Sequence, residues 1–146
     1  MASKTKDIGT IGEHAVMLEF LKNGITVLEP IGDNTSYDFV IEINNKFYKI
    51  QVKTTEEIKD GTMLFQTNIT NPFKQSYRLY NKDEVDCFGL YCIENNYIGL
   101  LPYEFYTSKE TVMRLVKPKN NQKAKIKMAE DFSFNKILNE YFNIGD

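Results

Sequence analysis

The stretch PIGDNTSYDFVIEINNKFYKIQVKTT, residues 30–55, decides the fold because it contains two strand patterns joined by a turn. Residues 37–43 alternate and are rich in β-branched and aromatic side chains, which is typical of a strand. A second strand is predicted over residues 46–54. Between the two, Asn44-Asn45 suits a two-residue turn, since asparagine tolerates the positive φ that such a turn requires. The stretch therefore predicts an antiparallel β-hairpin.

The second of these strands has one apolar face and one polar face. Side chains alternate between the faces of a strand, so Ile50 and Val52 share one side while Gln51 and Lys53 share the other. In a hairpin, the start of the first strand lies beside the end of the second. Asp38 opens the first strand, so we expect a carboxylate, an amide and an amine to meet at one end of the hairpin.

The polar residues of the hairpin resemble the motif of the PD-(D/E)XK nuclease superfamily. Asp38 followed by Gln51-Val52-Lys53 matches that motif with glutamine in the D/E place. With the flanking run 30–33, it is similar to the small intron-encoded homing endonucleases of this superfamily, in which the core glutamate is likewise glutamine. The proline of the superfamily name is absent, and Tyr37 stands before Asp38. The resemblance implies an α/β, restriction-endonuclease-like core with a mixed central β-sheet flanked by helices.

The resemblance also implies a divalent metal site. Asp38, Gln51 and Glu13 would be the metal ligands, and together with Lys53 they would form the catalytic set. Glu13 follows Gly12 in a predicted first helix, as in the resembled nucleases; the alternative is a solvated helix acid. Carboxylate and amide oxygens suit Mg²⁺, with Mn²⁺ as an alternative metal. Lys53 would steady the attacking water or the phosphate.

The charge of the chain is unevenly distributed. The formal net charge of the 146 residues is −2, yet residues 109–127 carry seven basic side chains and one acid. A local basic strip attracts phosphates, although the alternative is a solvated surface. Candidate DNA-binding residues lie in this strip and in the segment before it: Lys74, Arg78, Lys82, Lys117, Lys119, Lys123, Lys125 and Lys127. Tyr77 and Tyr80 are candidates for contact with the nucleic-acid backbone or for stacking.

Several other classes of protein and site are excluded or disfavoured by composition. His14 is the only histidine, so a histidine-rich zinc site is excluded. Cys87 and Cys92 are five positions apart in a predicted strand and should point to opposite faces, which argues against a disulfide. Neither a signal peptide nor a membrane-spanning segment is predicted. We expect one domain, over residues 1–146, and a cytoplasmic location.

The remaining elements follow from periodicity. A first helix is predicted over residues 8–23. Its apolar stripe runs through Ile8, Ile11, Ala15 and Leu18 and is widened by Val16 and Phe20. Residues 71–82 are predicted to be a loop or a short helix, and Ser133 could cap a final helix. Further strands are predicted over residues 25–28, 62–69, 85–93, 97–101 and 111–116, the third and fourth forming a hairpin.

The function expected from these features is metal-dependent DNA endonuclease activity. A homing or restriction-like enzyme competes with a Holliday-junction resolvase, and a non-catalytic nucleic-acid- or protein-binding module on a decayed nuclease fold is a further alternative. The expected partner is DNA, taken to be double-stranded. Cutting two strands requires two active sites, so we expect a homo-oligomer, either a dimer or a tetramer.

Overall fold

The computed structural model describes residues 4–71, 73–118 and 126–144. Within these residues there are two α-helices, α1 (Lys4–Lys22) and α2 (Phe134–Glu140). The strands are β1 (Thr26–Leu28), β2 (Phe39–Ile43), β3 (Lys46–Thr55), β4 (Thr62–Gln66), β5 (Ile69–Asn71), β6 (Ser76–Arg78), β7 (Cys87–Cys92), β8 (Tyr97–Pro102), β9 (Glu110–Arg114) and β10 (Lys127–Met128). Short 3₁₀ turns span Tyr103–Phe105 and Ala129–Phe132.

A five-stranded mixed sheet with the order β1-β2-β3-β7-β8 forms the centre. β3 and β7 run parallel, and the other neighbours run antiparallel. The predicted central hairpin is confirmed, because β2 pairs with β3 and Asn44 and Asn45 have φ angles of 52° and 66°. The mixed sheet with flanking helices confirms the expected α/β architecture. β4, β9 and β10 form a second, three-stranded sheet, and β5 and β6 form a separate two-stranded ribbon.

Two apolar cores lie on opposite faces of the central sheet. On one face, α1 and α2 pack on β2 and β3 through fully buried side chains such as Phe20 and Ile50. On the other face, Phe88 of β7 packs with residues of β4 and β9. Each such side chain contributes roughly 1.5–3 kcal/mol by leaving water. Cys87 belongs to the first core and Cys92 to the second, and both are free thiols, so the prediction of opposite faces is confirmed.

The apolar stripe predicted for helix α1 is confirmed at Val16 and Phe20 but not at Ile11 and Leu18. The buried residues of the helix are Gly12, Val16, Met17 and Phe20, whereas Ile11 and Leu18 are each half-exposed. The reason is the close approach at Gly12, where an added Cβ would lie 1.7 Å from Oγ1 of Thr54 in β3. Because Gly12 has no side chain, the helix lies directly on β3. The side of the helix that carries Gly12 therefore faces the sheet.

Two other segments also differ from the sequence-based expectation. Residues 71–82 contain β6, which pairs with β5, in place of the predicted loop or short helix. The strand predicted over residues 62–69 is interrupted after β4, because the buried Thr67 turns the chain and bonds to Ser108 and Lys109. Ser133 does precede α2, but its side chain makes no capping hydrogen bond. Among the described residues, no helix is long and apolar enough to cross a membrane.

Candidate active site

The candidate site lies at the end of β3, beyond the start of β2. Phe39 pairs with Ile50, and the Asp38 amide donates a 2.8 Å hydrogen bond to the Ile50 carbonyl, which places Asp38 opposite Gln51. β3 continues to Thr55 alongside β7, with Gln51 next to Phe88. The chain before Asp38 is not paired with β3 as a strand, so this end of β3 is uncovered on one side. The hairpin register alone brings Asp38 and Gln51 together.

Asp38 is held by the backbone of the strand that it faces. Its Oδ2 accepts a 2.8 Å hydrogen bond from the Val52 amide. Burial raises the pKa of the Asp38 carboxyl, while the hydrogen bond from Val52 and the positive charge of Lys53 oppose that rise. The carboxylate is therefore fixed in position and incompletely solvated, which is a state that a cation would stabilise.

Glu13 supplies a second carboxylate from helix α1. It is half-buried on α1, directly after Gly12, the residue at which the helix contacts β3. The pKa of Glu13 is raised by burial and then by the negative charge of Asp38. Because the charge of Asp38 acts on Glu13, Glu13 is a candidate for a second carboxylate at the same site.

Lys53 lies on the same face of β3 as Gln51, against an aromatic wall. Its Nζ is 5.1 Å from the centroid of the Tyr80 ring, and Tyr80 in turn packs edge-on against Phe88. Burial lowers the pKa of Lys53, and the charge of Asp38 opposes that shift. Among the described residues, Lys53 makes no ion pair with a carboxylate within 4.0 Å, so its ammonium group remains available to a phosphate.

Comparisons with known proteins decide the family. A family model described as PD-(D/E)XK endonuclease matches residues 3–135. The chain belongs to the PD-(D/E)XK endonuclease family. The expected superfamily is thereby confirmed for nearly the whole chain.

Two solved structures are similar to this member of the PD-(D/E)XK endonuclease family. The bacterial homing endonuclease I-Ssp6803I is 26% identical, with a TM-score of 0.71 over 90% of this chain and 89% of the other. A Holliday junction resolvase, Hjc of Archaeoglobus fulgidus, is 16% identical, with a TM-score of 0.45 over 73% of this chain and 83% of the other. No curated protein matches the chain. The likeness to the homing endonuclease confirms the restriction-endonuclease-like fold.

The side chains of this endonuclease fit a divalent cation. Asp38 and Glu13 offer two carboxylates whose pKa values are raised by burial and, for Glu13, also by the charge of Asp38. Gln51 adds a neutral amide oxygen beside Asp38. The described residues contain no cluster of three or more His, Cys, Asp or Glu side chains that could hold a metal, so an all-protein cage is not formed there. Such a sparse oxygen set suits Mg²⁺, which keeps several waters.

The sequence-predicted DNA-binding residues are placed unevenly in the structure. Arg78 is bound by both guanidinium nitrogens to Glu84, at 2.8 and 2.9 Å, and Lys82 pairs with Asp86 at 3.0 Å. Lys74 is exposed at the tip of the β5–β6 ribbon. Arg78 and Lys82 are thus partly neutralised within the protein, which weakens their case as phosphate contacts.

The basic strip is described only at its two ends. Lys117 is exposed, whereas Lys127 lies in β10, where burial lowers its pKa. Lys119, Lys123 and Lys125 lie outside the described residues.

Sequence reasoning missed the aromatic wall of the site. Tyr80 was a candidate for stacking on nucleic acid, but its side chain is buried beneath Lys53. Burial, together with the nearby Asp38 charge, raises the pKa of Tyr80 to about 12. Tyr80 lies 27 residues after Lys53 in a polar segment, and no local sequence pattern indicates that the two side chains are in contact.

The Gly12 contact leads to a first prediction. Gly12→Ala is expected to destabilise the protein by roughly 1–3 kcal/mol, because the new Cβ would overlap Thr54 and force α1 away from β3. Cleavage should fall with it, since Glu13 is the next residue. Urea unfolding and a cleavage assay measure the two effects.

Gly9→Ala is the matched control for Gly12→Ala on the same helix. A Cβ at Gly9 meets nothing within 4 Å, so this change should stabilise the protein by about 1 kcal/mol. Equal effects of the two alanines would contradict the close contact at Gly12.

Proposed function

We propose that this chain is a metal-dependent DNA endonuclease of the homing type, acting on double-stranded DNA. The observation that carries the proposal is the hairpin register, which puts Asp38 opposite Gln51, with Lys53 on the same face of β3. Glu13, whose pKa responds to the charge of Asp38, is the proposed fourth member. The family match and the likeness to a bacterial homing endonuclease support it. We further propose one domain, residues 1–146, and action in the cytoplasm.

Each side chain has a separate part in phosphodiester hydrolysis. Asp38, Glu13 and Gln51 would hold Mg²⁺, or Mn²⁺ in its place. When bound, the metal polarises the scissile phosphate and makes the attacking water more acidic. The Val52 amide keeps the Asp38 carboxylate oriented through its hydrogen bond. Lys53 stays charged beside the ionised carboxylates and neutralises the negative charge that develops on the phosphate.

A supercoiled plasmid tests the proposed activity. The protein should convert supercoiled DNA to nicked and linear forms in Mg²⁺ or Mn²⁺, and EDTA should stop the conversion. The non-catalytic alternative predicts unchanged plasmid under both conditions. A four-way junction and a linear duplex, supplied as competitors, separate homing-like cleavage from junction resolution, because a resolvase would cut only the junction.

The stoichiometry of cleavage implies more than one chain. Each chain holds one candidate site, whereas a double-strand break requires two cuts. We therefore propose a homo-oligomer, a dimer or a tetramer. Size-exclusion chromatography with light scattering measures the mass directly, and a monomer that still makes double-strand breaks in one binding event would contradict this proposal.

A second prediction concerns stability in the absence of metal. The pKa of Asp38 is raised in the folded protein from its ordinary value of 3.8, so the folded state holds this proton more tightly than the unfolded state. The resulting stability is present below pH 3.8 and is lost as the pH rises through the folded pKa. Asp38→Asn cannot ionise and keeps its side-chain acceptor, so it should be more stable than wild type at pH 7 without metal.

The difference should shrink as the pH falls toward 3.8, and Mg²⁺ at pH 7 should stabilise wild type but not Asp38→Asn. Thermal unfolding across this pH range, with and without Mg²⁺, measures both effects. Asp33→Asn, which removes an exposed acid outside the site, is the control. A wild-type protein more stable than Asp38→Asn at pH 7 without metal would show that burial does not strain this carboxylate.

A further inference from the structure

The β5–β6 ribbon, residues 69–71 and 73–78, is a two-stranded unit separate from the two larger sheets. Most of its side chains are exposed. Thr67, before the ribbon, and Tyr80, after it, both bond to the Tyr106 hydroxyl. This hydroxyl accepts a 3.2 Å hydrogen bond from the Tyr80 amide and donates to the Thr67 carbonyl. Thr67 is fully buried and bonds to Thr111 at 2.9 Å. One hydroxyl therefore fastens both ends of the ribbon to the core.

One side of the ribbon forms an open polar groove of about 350 Å³. The groove is lined by amide and hydroxyl side chains, namely Gln66, Asn68, Thr70, Gln75 and Ser76. Lys109 and Tyr77 close one side, with the lysine Nζ 4.5 Å from the centre of the ring. Glu110 is the acid of this groove, 3.4 Å from the Gln66 amide nitrogen. Such a lining offers hydrogen-bond donors and acceptors beside the apolar parts of the same side chains.

Near the tip of the ribbon, the side chains of Phe73 and Lys74 are exposed. The side chain of Phe73 is 96% exposed. Lys74 is exposed beside it and makes no ion pair within the described residues, unlike Arg78 and Lys82. An aromatic ring and a cation at an exposed tip suit a partner that offers both apolar and anionic groups, as DNA does in its thymine methyl groups and phosphates.

We propose that the β5–β6 ribbon enters the major groove of duplex DNA and that its polar groove reads base edges. The inference rests on the proposed function of the site. The major groove, about 12 Å wide, admits a two-stranded ribbon, and amide side chains pair with adenine while carboxylates accept from cytosine. The amides of Gln75 and Asn68 and the Glu110 carboxylate supply these groups.

The ribbon is also held at a fixed distance from the cleavage site. Only Leu79 separates β6 from Tyr80, whose ring lies against the Lys53 ammonium. The hydrogen bond from the Tyr80 amide to Tyr106 ties this junction to the core. DNA placed with its phosphate at Lys53 therefore passes the base of the ribbon, and bases near the cut are the ones that the ribbon contacts.

Selection from a random duplex library tests the inference. The full-length Asp38→Asn protein binds DNA without cutting it and should enrich a defined sequence in Mg²⁺. Gln75→Arg, made in that background, should move the preference at one or two base pairs from adenine toward guanine, by about tenfold, because arginine pairs with guanine. Lys74→Ala is the matched control and should weaken binding of all sequences alike.

Each outcome bears on the ribbon separately from the proposed function. Three results would overturn base reading by the ribbon. These are enrichment of the same sequence with and without the Gln75→Arg change, a uniform loss of affinity with Gln75→Arg, and no enrichment at all. Failure of the proposed function appears elsewhere, as wild-type protein that leaves a plasmid carrying the enriched sequence uncut in Mg²⁺. Circular dichroism of each variant confirms that the fold is retained.

Discussion

Asp38→Asn is expected to lower the rate of DNA cleavage by about a thousandfold, equivalent to about 4 kcal/mol of transition-state stabilisation. The asparagine still accepts the hydrogen bond from Val52, so the strand geometry should survive. What is lost is the negative charge opposite Gln51 that would hold the metal. Asp38→Ala should be equally inactive. Because a metal ligand acts in the transition state more than in binding, DNA affinity should change little. Single-turnover cleavage and binding titrations of the same duplex measure the two quantities.

The control for this change is Glu42→Gln, which removes an acid from the same strand at the turn end of the hairpin. It should cleave at the wild-type rate. Cleavage by Asp38→Asn at the wild-type rate in Mg²⁺ would place the catalytic centre elsewhere, whatever the behaviour of Glu42→Gln.

Gln51→Leu is expected to abolish cleavage, while Gln51→Glu keeps part of it. Gln51 faces Asp38 across the hairpin and lies beside Phe88. Leucine has a similar size but lacks the amide oxygen. Glutamate keeps the oxygen and adds a charge, which should tighten metal binding and change the preference between Mg²⁺ and Mn²⁺. Cleavage rates across a titration of each metal measure both effects.

The two Gln51 variants control for each other, since both alter the same position and only one keeps an oxygen. An active Gln51→Leu enzyme would remove Gln51 from the metal site. Activity of neither variant, with intact folds by circular dichroism, would show that the neutral amide itself is required.

The part of the site that could be predicted from the sequence is the part that local geometry determines. Asn44 and Asn45 fix the turn, and the turn fixes the register that puts Asp38 opposite Gln51. Strand alternation then places Lys53 on the same face. These steps need only the sequence between residues 38 and 53, so they hold before any tertiary contact is known.

The surroundings of the site could not be predicted, because they depend on contacts between distant segments. The Tyr106 hydroxyl joins Thr67 to Tyr80, and no periodic pattern marks any of the three. The predicted apolar stripe of helix α1 was wrong in part for a related reason, since Val16 and Phe20 are buried whereas Ile11 and Leu18 are half-exposed. Gly12 decides which side of the helix contacts β3, and a pattern of apolar residues does not include glycine.

The parallel pairing of β3 with β7 has a consequence for biosynthesis. The four proposed catalytic side chains all precede β7 in the chain and are translated before it, and the hairpin that carries three of them closes locally. Phe88 and Tyr80, which form the wall behind Gln51 and Lys53, are translated later, and β3 lacks one neighbour until then. Long-range parallel pairing forms slowly. A nascent chain that ends before β7 therefore carries the hairpin without the side chains that pack behind it, so the candidate site is complete only after β7 has joined the sheet.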